Sequence, residues 1–174
     1  MTPRVAGIVL AAGAGSRYGM PKVLVDDWLQ RAVTALADGG CDDVLVVLGA
    51  AVVEVPARAR AVLAADWADG ASASVRAGLA AAGGADTAVL HIVDTPDVGA
   101  DVVARVLAHA DGGLARAMYG GRPGHPVAVA AAHWPALVAT LHGDEGAREF
   151  LAGRDDLVAV ECGDLATGRD VDER

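Results

Sequence analysis

Apolar runs alternate with segments of helical periodicity along the first two thirds of the chain. Three runs without alternating polar positions predict buried strands: VAGIVLAA at 5–12, DVLVVLG at 43–49 and TAVLHIVD at 87–94. Four segments with apolar residues at helical spacing predict helices: 28–39, 55–65, 69–84 and 99–113. Buried strands separated by helices predict a parallel sheet that is covered by helices on both faces.

The last third of the chain has a different pattern. ARAMYGGRPGHPVAVAA contains two short strand-like pieces around a turn rich in glycine and proline. The helical stretch WPALVATLH begins at Trp134, GDEGAREFLAG follows it, and the strand LVAVEC begins at Leu157. We therefore expect a three-layer α/β fold with one hairpin or antiparallel edge element beside the parallel strands.

Short polar side chains near the predicted helix starts are candidate caps, because their oxygens can accept bonds from free backbone N–H groups. Ser72 or Ser74 is expected to cap the helix predicted there, with hydrogen bonding to a nucleotide as the alternative. Gly143 is expected to end one helix in the left-handed conformation, with Asp144 capping the next and Arg148 on its first turn.

Length, charge and cysteine usage restrict the class of protein. The chain has 174 residues, 53% of them hydrophobic, which predicts one domain over 1–174. A net charge of −9 without a basic run argues against a nucleic-acid partner, although a few local cations and a divalent metal can still bind a nucleotide. Cys41 and Cys162 have neither metal-ligand spacing nor a disulfide pattern. The apolar run from Val5 is too short to span a membrane, so we expect a cytoplasmic protein without a membrane partner.

The stretch VLAAGAGSRYGMPK places glycines and two cations, Arg17 and Lys22, directly after the first predicted strand. A dinucleotide fingerprint would need glycine where Tyr18 stands, and a Walker loop would need Gly19 to be followed directly by the lysine. The loop suits a polyphosphate that lies along it, because glycine lets backbone N–H groups approach an anion closely. The alternative is an ordinary strand-to-helix connection with solvated charges.

A carboxylate faces this loop in the predicted topology. Asp94 ends a fully apolar strand, and ligands of open α/β sheets lie at the carboxyl ends of the strands. Asp94 there suits a Mg²⁺ that bridges phosphate oxygens, with a helix-capping role as the alternative, whereas Asp97 is expected to cap the helix near Gly99. Loop and carboxylate together predict nucleotidyl transfer with release of pyrophosphate.

These residues resemble a known family. VLAAGAGSRYGMPK is similar to the LAAGxSxRMGxxK signature of the small nucleotidyltransferases that attach a nucleotide to molybdenum cofactor, the MobA-like NTP transferases. Further stretches resemble the family's motifs in the same order along the chain: ADWADGASASVRAGL, VDTPDV, GRPGHPV, GDEGAR and GRDVDER. Within the family, LAAG, GRPGHPV and GDEGAR look like the cytidylyltransferase branch.

The resemblance implies a three-layer Rossmann-like fold with a mostly parallel sheet, of the nucleotide-diphospho-sugar transferase type. It implies transfer of CMP from CTP to the phosphate of a molybdopterin-type cofactor, with Mg²⁺ as the metal. The implied partners are the nucleoside triphosphate and molybdenum cofactor, and a molybdoenzyme or its maturation chaperone is a further candidate.

The matched motifs also imply functional residues. Arg17, Lys22 and Asp94 are implied to be catalytic, and Asp94 and Asp170 to hold the metal. The residues implied to bind the nucleotide are Leu10, Ala11, Ala12, Gly13, Gly15, Ser16, Arg17, Lys22, Ser74 and Gly78. His125 and Arg148 are implied to contact the acceptor. Their alternatives are a turn leading into a strand and a solvated ion pair, respectively.

Three departures from the family pattern keep other functions open. Val93 replaces the glycine before the metal aspartate, only VLVDD separates Lys22 from the next helix, and the terminal aspartates lack the following Thr-Pro. Guanylyl transfer and transfer to another phosphorylated acceptor remain alternatives within the enzyme class. A non-catalytic carrier of nucleotide or cofactor is the alternative from another class.

Overall fold

The computed structural model describes residues 2–172, which form one seven-stranded sheet flanked by helices. The strands are β1 Val5–Leu10, β2 Asp43–Leu48, β3 Arg60–Leu63, β4 Thr87–Ile92, β5 Leu114–Tyr119, β6 Arg122–Ala130 and β7 Leu157–Glu161. The helices are α1 Trp28–Asp38, α2 Ala71–Ala81, α3 Ala100–Ala110, α4 Trp134–Thr140 and α5 Arg148–Leu151.

The sheet has the order β3-β2-β1-β4-β6-β5-β7. Every neighbouring pair is parallel except the two pairs that β6 makes with β4 and β5. The predicted mostly parallel sheet and the hairpin are therefore confirmed. The antiparallel strand β6 lies inside the sheet and not at its edge, because β5 and β7 continue the sheet beyond it.

Two apolar cores cover the two faces of the sheet, as the continuous apolar strands predicted. One core packs α1 and α3 against the sheet through fully buried side chains such as Leu36 and Val106. The other packs α2, α4 and α5 through side chains that include Leu79, Leu137 and Phe150. This is the three-layer architecture expected from the sequence, and it leaves the carboxyl ends of β1 and β4 side by side.

The helix predicted over 55–65 is wrong. Its second half forms the edge strand β3, which pairs in parallel with β2 from Leu45 opposite Arg60 to Leu48 opposite Leu63. Alanine and arginine favour a helix locally, but pairing to the free edge of β2 satisfies the backbone and overrides that preference. Arg60 adds a bidentate contact to Asp43, at 3.2 Å and 2.9 Å, on the neighbouring strand.

The predicted serine caps are also wrong. Helix α2 begins at Ala71 after Gly70, so Ser72 and Ser74 lie within its first turns, buried. The Ser72 hydroxyl instead donates to the carbonyl oxygen of Gly143 at 2.6 Å, which ties α2 to the loop before α5.

The connection between α4 and α5 is longer than the sequence predicted. Gly143 is left-handed at φ +52° but lies beyond the end of α4 at Thr140. Asp144 does not cap α5, which begins at Arg148 after Ala147. Within residues 2–172, no helix has the length and apolar character that a membrane crossing requires.

Candidate active site

The glycine-rich loop follows β1 at the carboxyl edge of the sheet. Gly15 has a φ of +66°, and a Cβ at this position would clash with the carbonyl oxygen of Met20. The N–H of Gly19 donates to the carbonyl oxygen of Gly15 at 2.8 Å and closes the turn. Glycine at position 15 is thus required both by conformation and by space, and the turn carries Arg17 and Lys22 towards the end of β4.

Lys22, the chain's only lysine, lies between two carboxylates. Its Nζ donates to Asp94 Oδ2 at 2.6 Å and to Asp172 Oδ1 at 3.0 Å. The side chains of Lys22 and Asp94 are each only 16% exposed, so water screens this ion pair incompletely. The predicted meeting of loop cation and strand-end carboxylate is present, and the two groups pair directly with each other.

The opposite charges within this cluster shift the pKa values of Lys22 and Asp172 towards the charged forms. Burial alone lowers the pKa of Lys22, but the hydrogen bonds and negative charges of Asp94 and Asp172 outweigh burial and raise it. The hydrogen bond from Lys22 lowers the pKa of Asp172, against an opposing effect of burial. Lys22 is therefore an ammonium and Asp172 a carboxylate at neutral pH.

The C-terminal segment is anchored across the end of β4. Thr167 donates to Asp97 Oδ2 from its N–H at 2.8 Å and from its hydroxyl at 2.6 Å. The N–H of Val171 donates to the carbonyl oxygen of Asp94 at 2.9 Å. The predicted cap role of Asp97 is wrong, since α3 has no side-chain cap bond and the Asp97 carboxylate holds the C-terminal segment instead.

Three carboxylates converge where this segment meets β4. One ligand oxygen each from Asp94, Asp170 and Asp172 lies within 4.8 Å of the others. Hard carboxylate oxygens at this spacing fit Mg²⁺ or another divalent cation. Sequence reasoning singled out Asp94 and Asp170 but missed Asp172. The available signal was its position two residues after Asp170, because alternate residues of an extended segment face the same side.

Arg17 lies on the outer side of the cluster. Its Nη2 is 3.6 Å from Asp172 Oδ1, and the side chain is 73% exposed. Together with Ser16 and Lys22 it lines a surface pocket of about 270 Å³. A second pocket of about 230 Å³ joins Lys22 to Asp94 and to the start of the loop. The two pockets share Lys22, which places a cation at the boundary between them.

A larger cavity of about 530 Å³ lies on the α2 side of the loop. Gly13 and Ser74 line it at one end, with Trp67 from the 3-10 turn before α2. His125 from β6 and Arg148 from α5 line it as well, so the residues predicted for nucleotide and acceptor share one space.

Most of the predicted nucleotide residues line one of these three spaces: Leu10, Ala11, Ala12, Gly13, Gly15, Ser16, Arg17, Lys22 and Ser74. Gly78 does not line any of them. A Cβ on Gly78 would approach Cγ2 of Ile8 to 2.6 Å, so the glycine lets α2 pack closely on β1. Trp67 and Arg116 line the larger cavity without having been predicted. Trp67 could have been predicted, because it is the tryptophan of the family-like motif ADWADGASASVRAGL.

His125 is neutral at physiological pH. Burial and then the nearby charge of Arg116 lower its pKa to about 4, against an opposing effect of Asp170. The hydroxyl of Tyr119 donates to the carbonyl oxygen of His125 at 2.6 Å and fixes the backbone there. A neutral imidazole can accept or donate a hydrogen bond in this cavity without adding a charge.

The fold and the sequence of this chain are those of a known protein family. The chain belongs to the MobA-like NTP transferase family, since the model of the MobA-like NTP transferase domain matches residues 7–159. It is thus a nucleotidyltransferase of this family, and the family implies a nucleoside triphosphate as substrate. The family resemblance and the Rossmann-like nucleotidyltransferase fold expected from the sequence are confirmed.

Individual relatives cover nearly the whole chain. Nicotine blue oxidoreductase from Paenarthrobacter nicotinovorans is 38% identical over 189 residues, covering 98% of this chain and 93% of the relative. The Rv0371c homologue from Mycobacterium sp. strain JC1 is 30% identical, with a TM-score of 0.79 over 99% of this chain and 92% of its own. Rv0371c from Mycobacterium tuberculosis H37Rv, solved as a manganese complex, is 23% identical and shares the fold, with a TM-score of 0.74 over 97% and 94% of the chains.

Proposed function

We propose that the chain transfers CMP from CTP to the phosphate of a molybdopterin-type cofactor and releases pyrophosphate. The observation that carries this proposal is the cluster of Lys22 and three convergent carboxylates at the end of the glycine-rich loop. Cations for a triphosphate and oxygen ligands for a divalent metal meet there, as transfer at an α-phosphate requires. Family membership supports the reaction class, and the resemblance of LAAG, GRPGHPV and GDEGAR supports the cytidylyl branch.

Asp94, Asp170 and Asp172 would hold the metal, which we propose to be Mg²⁺. When bound, Mg²⁺ supplies positive charge that offsets the charge developing on the phosphate oxygens. The donor set fits, because Mg²⁺ prefers one or more carboxylates together with substrate phosphates and water. The manganese complex of Rv0371c shows that a protein of this fold binds a divalent cation.

Lys22 changes partners when the substrate binds. In the structure, its ammonium bridges Asp94 and Asp172 at 2.6 Å and 3.0 Å. With CTP and metal bound, the ammonium donates to the β- and γ-phosphate oxygens, and Arg17 binds the same group from the solvent side. Both cations stabilise the pyrophosphate as it leaves. The backbone of Ala11, Ala12 and Gly13 lies against the base and sugar in this arrangement.

The larger cavity receives the acceptor. His125 and Arg148 line it, and Gly13 belongs both to this cavity and to the pocket that contains Lys22 and Asp94. An acceptor in this cavity therefore lies next to the α-phosphate that it attacks. Its phosphate is already an anionic nucleophile, so the transfer needs no strong base, and a neutral His125 serves to orient it. We propose that the finished dinucleotide cofactor passes to a molybdoenzyme or to its maturation chaperone.

A panel of nucleotides tests the substrate. Thermal unfolding is measured with CTP, GTP, ATP and UTP, each with and without Mg²⁺, because a ligand at about 100 times its Kd adds roughly 2.7 kcal/mol to stability. A shift that is selective for CTP and needs Mg²⁺ is expected. Selectivity for GTP would assign the guanylyl branch instead. No shift with any of the four nucleotides would contradict the proposal.

The alternatives differ in what they release. A non-catalytic carrier would bind CTP without Mg²⁺-dependent release of pyrophosphate. Val93, which motivates that alternative, is only 6% exposed and packs in the α1–α3 core. The Val93 side chain therefore packs mainly against the core and leaves little surface exposed towards the nucleotide pocket. Transfer to a different phosphorylated acceptor would release pyrophosphate only when that acceptor replaces molybdenum cofactor.

Redox chemistry on a ring compound is a second candidate, because the relative that is 38% identical is named nicotine blue oxidoreductase. The larger cavity has the size and partly apolar lining for a ring system. Both cysteines are buried in the α1–α3 core and neither lines the cavity, so this candidate requires an added hydride donor such as NADH or NADPH to reduce the ring compound. Oxidation of NADH or NADPH in the presence of an aromatic dye, without pyrophosphate release from CTP, would favour this candidate over nucleotidyl transfer.

A further inference from the structure

Arg116 is a guanidinium without a counter-ion at the larger cavity. It lies on β5, lines the cavity beside His125, and has no ion pair with any residue from 2 to 172. Its Nε is buried and has no hydrogen-bond partner there. Its Nη2 reaches only the carbonyl oxygen of Gly124, at 3.4 Å. The hydrogen-bonding capacity of this side chain is therefore largely unused.

A buried Nε without a hydrogen-bond partner distinguishes Arg116 from the other arginines within residues 2–172. Five of them form an ion pair of 2.9 Å or less with an aspartate while remaining partly or well exposed: Arg31, Arg58, Arg60, Arg105 and Arg154. The chain has 23 acidic residues and a net charge of −9, so carboxylates are abundant. None of those within residues 2–172 forms an ion pair with Arg116, although burial without a partner is costly for a charged group.

The surroundings of Arg116 keep the positive charge directed at the cavity. Burial lowers the pKa of its guanidinium. His125 is neutral because its pKa is about 4, and Arg148 adds a second cation at the cavity. Asp144 also lines the cavity, without an ion pair to either arginine. An anion that enters the cavity would satisfy donors that the protein leaves unpaired.

The remaining wall of the cavity indicates the body of the ligand. Trp67, Val75 and Ile92 contribute apolar surface to it. About 530 Å³ is enough for a ring system with a short anionic substituent. The cavity thus combines an apolar wall for a ring with a guanidinium for an oxyanion.

We propose that Arg116 recognises the anionic group of a ring-bearing acceptor and determines which acceptors the enzyme uses. The proposal rests on the proposed nucleotidyl transfer and deepens it by naming the recognition residue. A phosphate and a carboxylate share the oxyanion chemistry that a guanidinium binds, and a phosphate gains more from a bidentate contact because it carries more charge.

Small aromatic probes test Arg116 apart from catalysis. Binding of phenyl phosphate, benzoate and phenol to the full chain is measured by calorimetry in the wild type, Arg116→Gln, Arg116→Lys and Arg58→Gln. Arg58 is the control because Arg58→Gln removes the same charge from an exposed pair with Asp38 that does not line the cavity. We expect Arg116→Gln to weaken phenyl phosphate at least tenfold, Arg116→Lys to weaken it less, and Arg58→Gln to leave it unchanged. Phenol should bind weakly and equally to all four proteins.

A second measurement follows the Arg116 side chain in the wild type itself. The Nε–H resonance of Arg116 in the wild type, assigned by its loss in Arg116→Lys, should shift on titration with phenyl phosphate and not with phenol. Equal phenyl phosphate affinity in the wild type and Arg116→Gln, or no phenyl phosphate binding to the wild type, would overturn the proposal. Stronger binding of benzoate than of phenyl phosphate would overturn its phosphate form and leave a carboxylate as the recognised group.

CTP binding with Mg²⁺, measured on the same proteins, separates this inference from the proposed function. Undiminished CTP binding by Arg116→Gln, together with lost phenyl phosphate binding, supports the acceptor role. An equal loss for CTP would place Arg116 in the nucleotide site and overturn the inference. Failure of the wild type to bind CTP would contradict the proposed function while leaving the phenyl phosphate result to decide the role of Arg116.

Discussion

Replacing Lys22 with methionine should change the affinities for metal and for triphosphate in opposite directions. Lys22 occupies the carboxylates that would hold the metal, at 2.6 Å from Asp94 and 3.0 Å from Asp172. A divalent cation must displace this ammonium before it can bind. Lys22→Met leaves three carboxylates whose oxygens lie within 4.8 Å of one another, so a cation then gains their full charge.

The size of the effect follows from the geometry of the cluster. At the 3.0 Å between Lys22 Nζ and Asp172 Oδ1, two unit charges attract by roughly 5.5 kcal/mol at an effective dielectric constant of about 20 and by roughly 1.4 kcal/mol in bulk water. The side chain of Asp172 is 36% exposed, which favours the lower part of this range. We take about 2 kcal/mol, which corresponds to a roughly 30-fold tighter Kd for the metal.

Calorimetric titration with Mn²⁺ in the absence of nucleotide measures this change. The wild type, Lys22→Met and Arg58→Met are compared, because Arg58→Met removes a cation from an exposed aspartate pair of 2.8 Å at the surface. Lys22→Met should bind Mn²⁺ more tightly and CTP more weakly than the wild type, and Arg58→Met should match the wild type in both. Mn²⁺ affinity in Lys22→Met that is equal to or weaker than that of the wild type would refute the assignment of the carboxylates as the metal site.

Two further predictions concern protonation. Asp172→Asn should lower the pKa of Lys22, because Asp172 raises it through a hydrogen bond and its charge. Reductive methylation of this single lysine with ¹³C-formaldehyde gives a resonance whose pH titration reports that pKa. An unaltered titration in Asp172→Asn would exclude the contact between the two side chains. His91 is buried, and burial lowers its pKa to about 3, so the unfolded chain binds a proton below about pH 6.5 that the folded chain does not. Stability should therefore fall as the pH falls from about 6.5 towards 3, with a loss of roughly 2 kcal/mol at pH 5 from His91 alone. Urea unfolding at pH 7.5 and pH 5.0 should show that His91→Leu loses less stability on acidification than the wild type does. The control His109→Gln, which removes an exposed imidazole, should lose as much as the wild type. An equal loss of stability in His91→Leu and the wild type would argue against a buried neutral imidazole.

The features that the sequence predicted well are those encoded by local pattern. Uninterrupted apolar runs predicted the central strands β1, β2 and β4, since a strand buried on both faces has no polar alternation. The position of Asp94 after β4 followed from the same pattern, because parallel strands end at one edge of the sheet. The proximity of Lys22 and Asp94 needed only that topology and the glycine-rich turn.

Other features depend on contacts between distant segments and left little local signal. Asp172 reaches Lys22 across 150 positions of sequence, and hydrogen bonds of the C-terminal segment to Asp97 and Asp94 place it there. Arg116 is one arginine among thirteen in the sequence, and its buried, unpartnered Nε beside a cavity becomes visible only in the folded chain. The strand β3 was read as a helix because its partner β2, and not its own composition, determines its conformation.

Transfer of a labelled α-phosphate tests the central claim most directly. The chain is incubated with α-phosphate-labelled CTP, Mg²⁺ and molybdenum cofactor, and the label in the cofactor is measured together with released pyrophosphate. The wild type and Asp101→Asn, whose exposed aspartate lies on α3 outside the site, should produce labelled cofactor and pyrophosphate in equal amounts. Asp94→Asn should fold and lose both products. Labelled cofactor formed by Asp94→Asn at the rate of the wild type, or no label transferred from CTP by the wild type, would contradict the account.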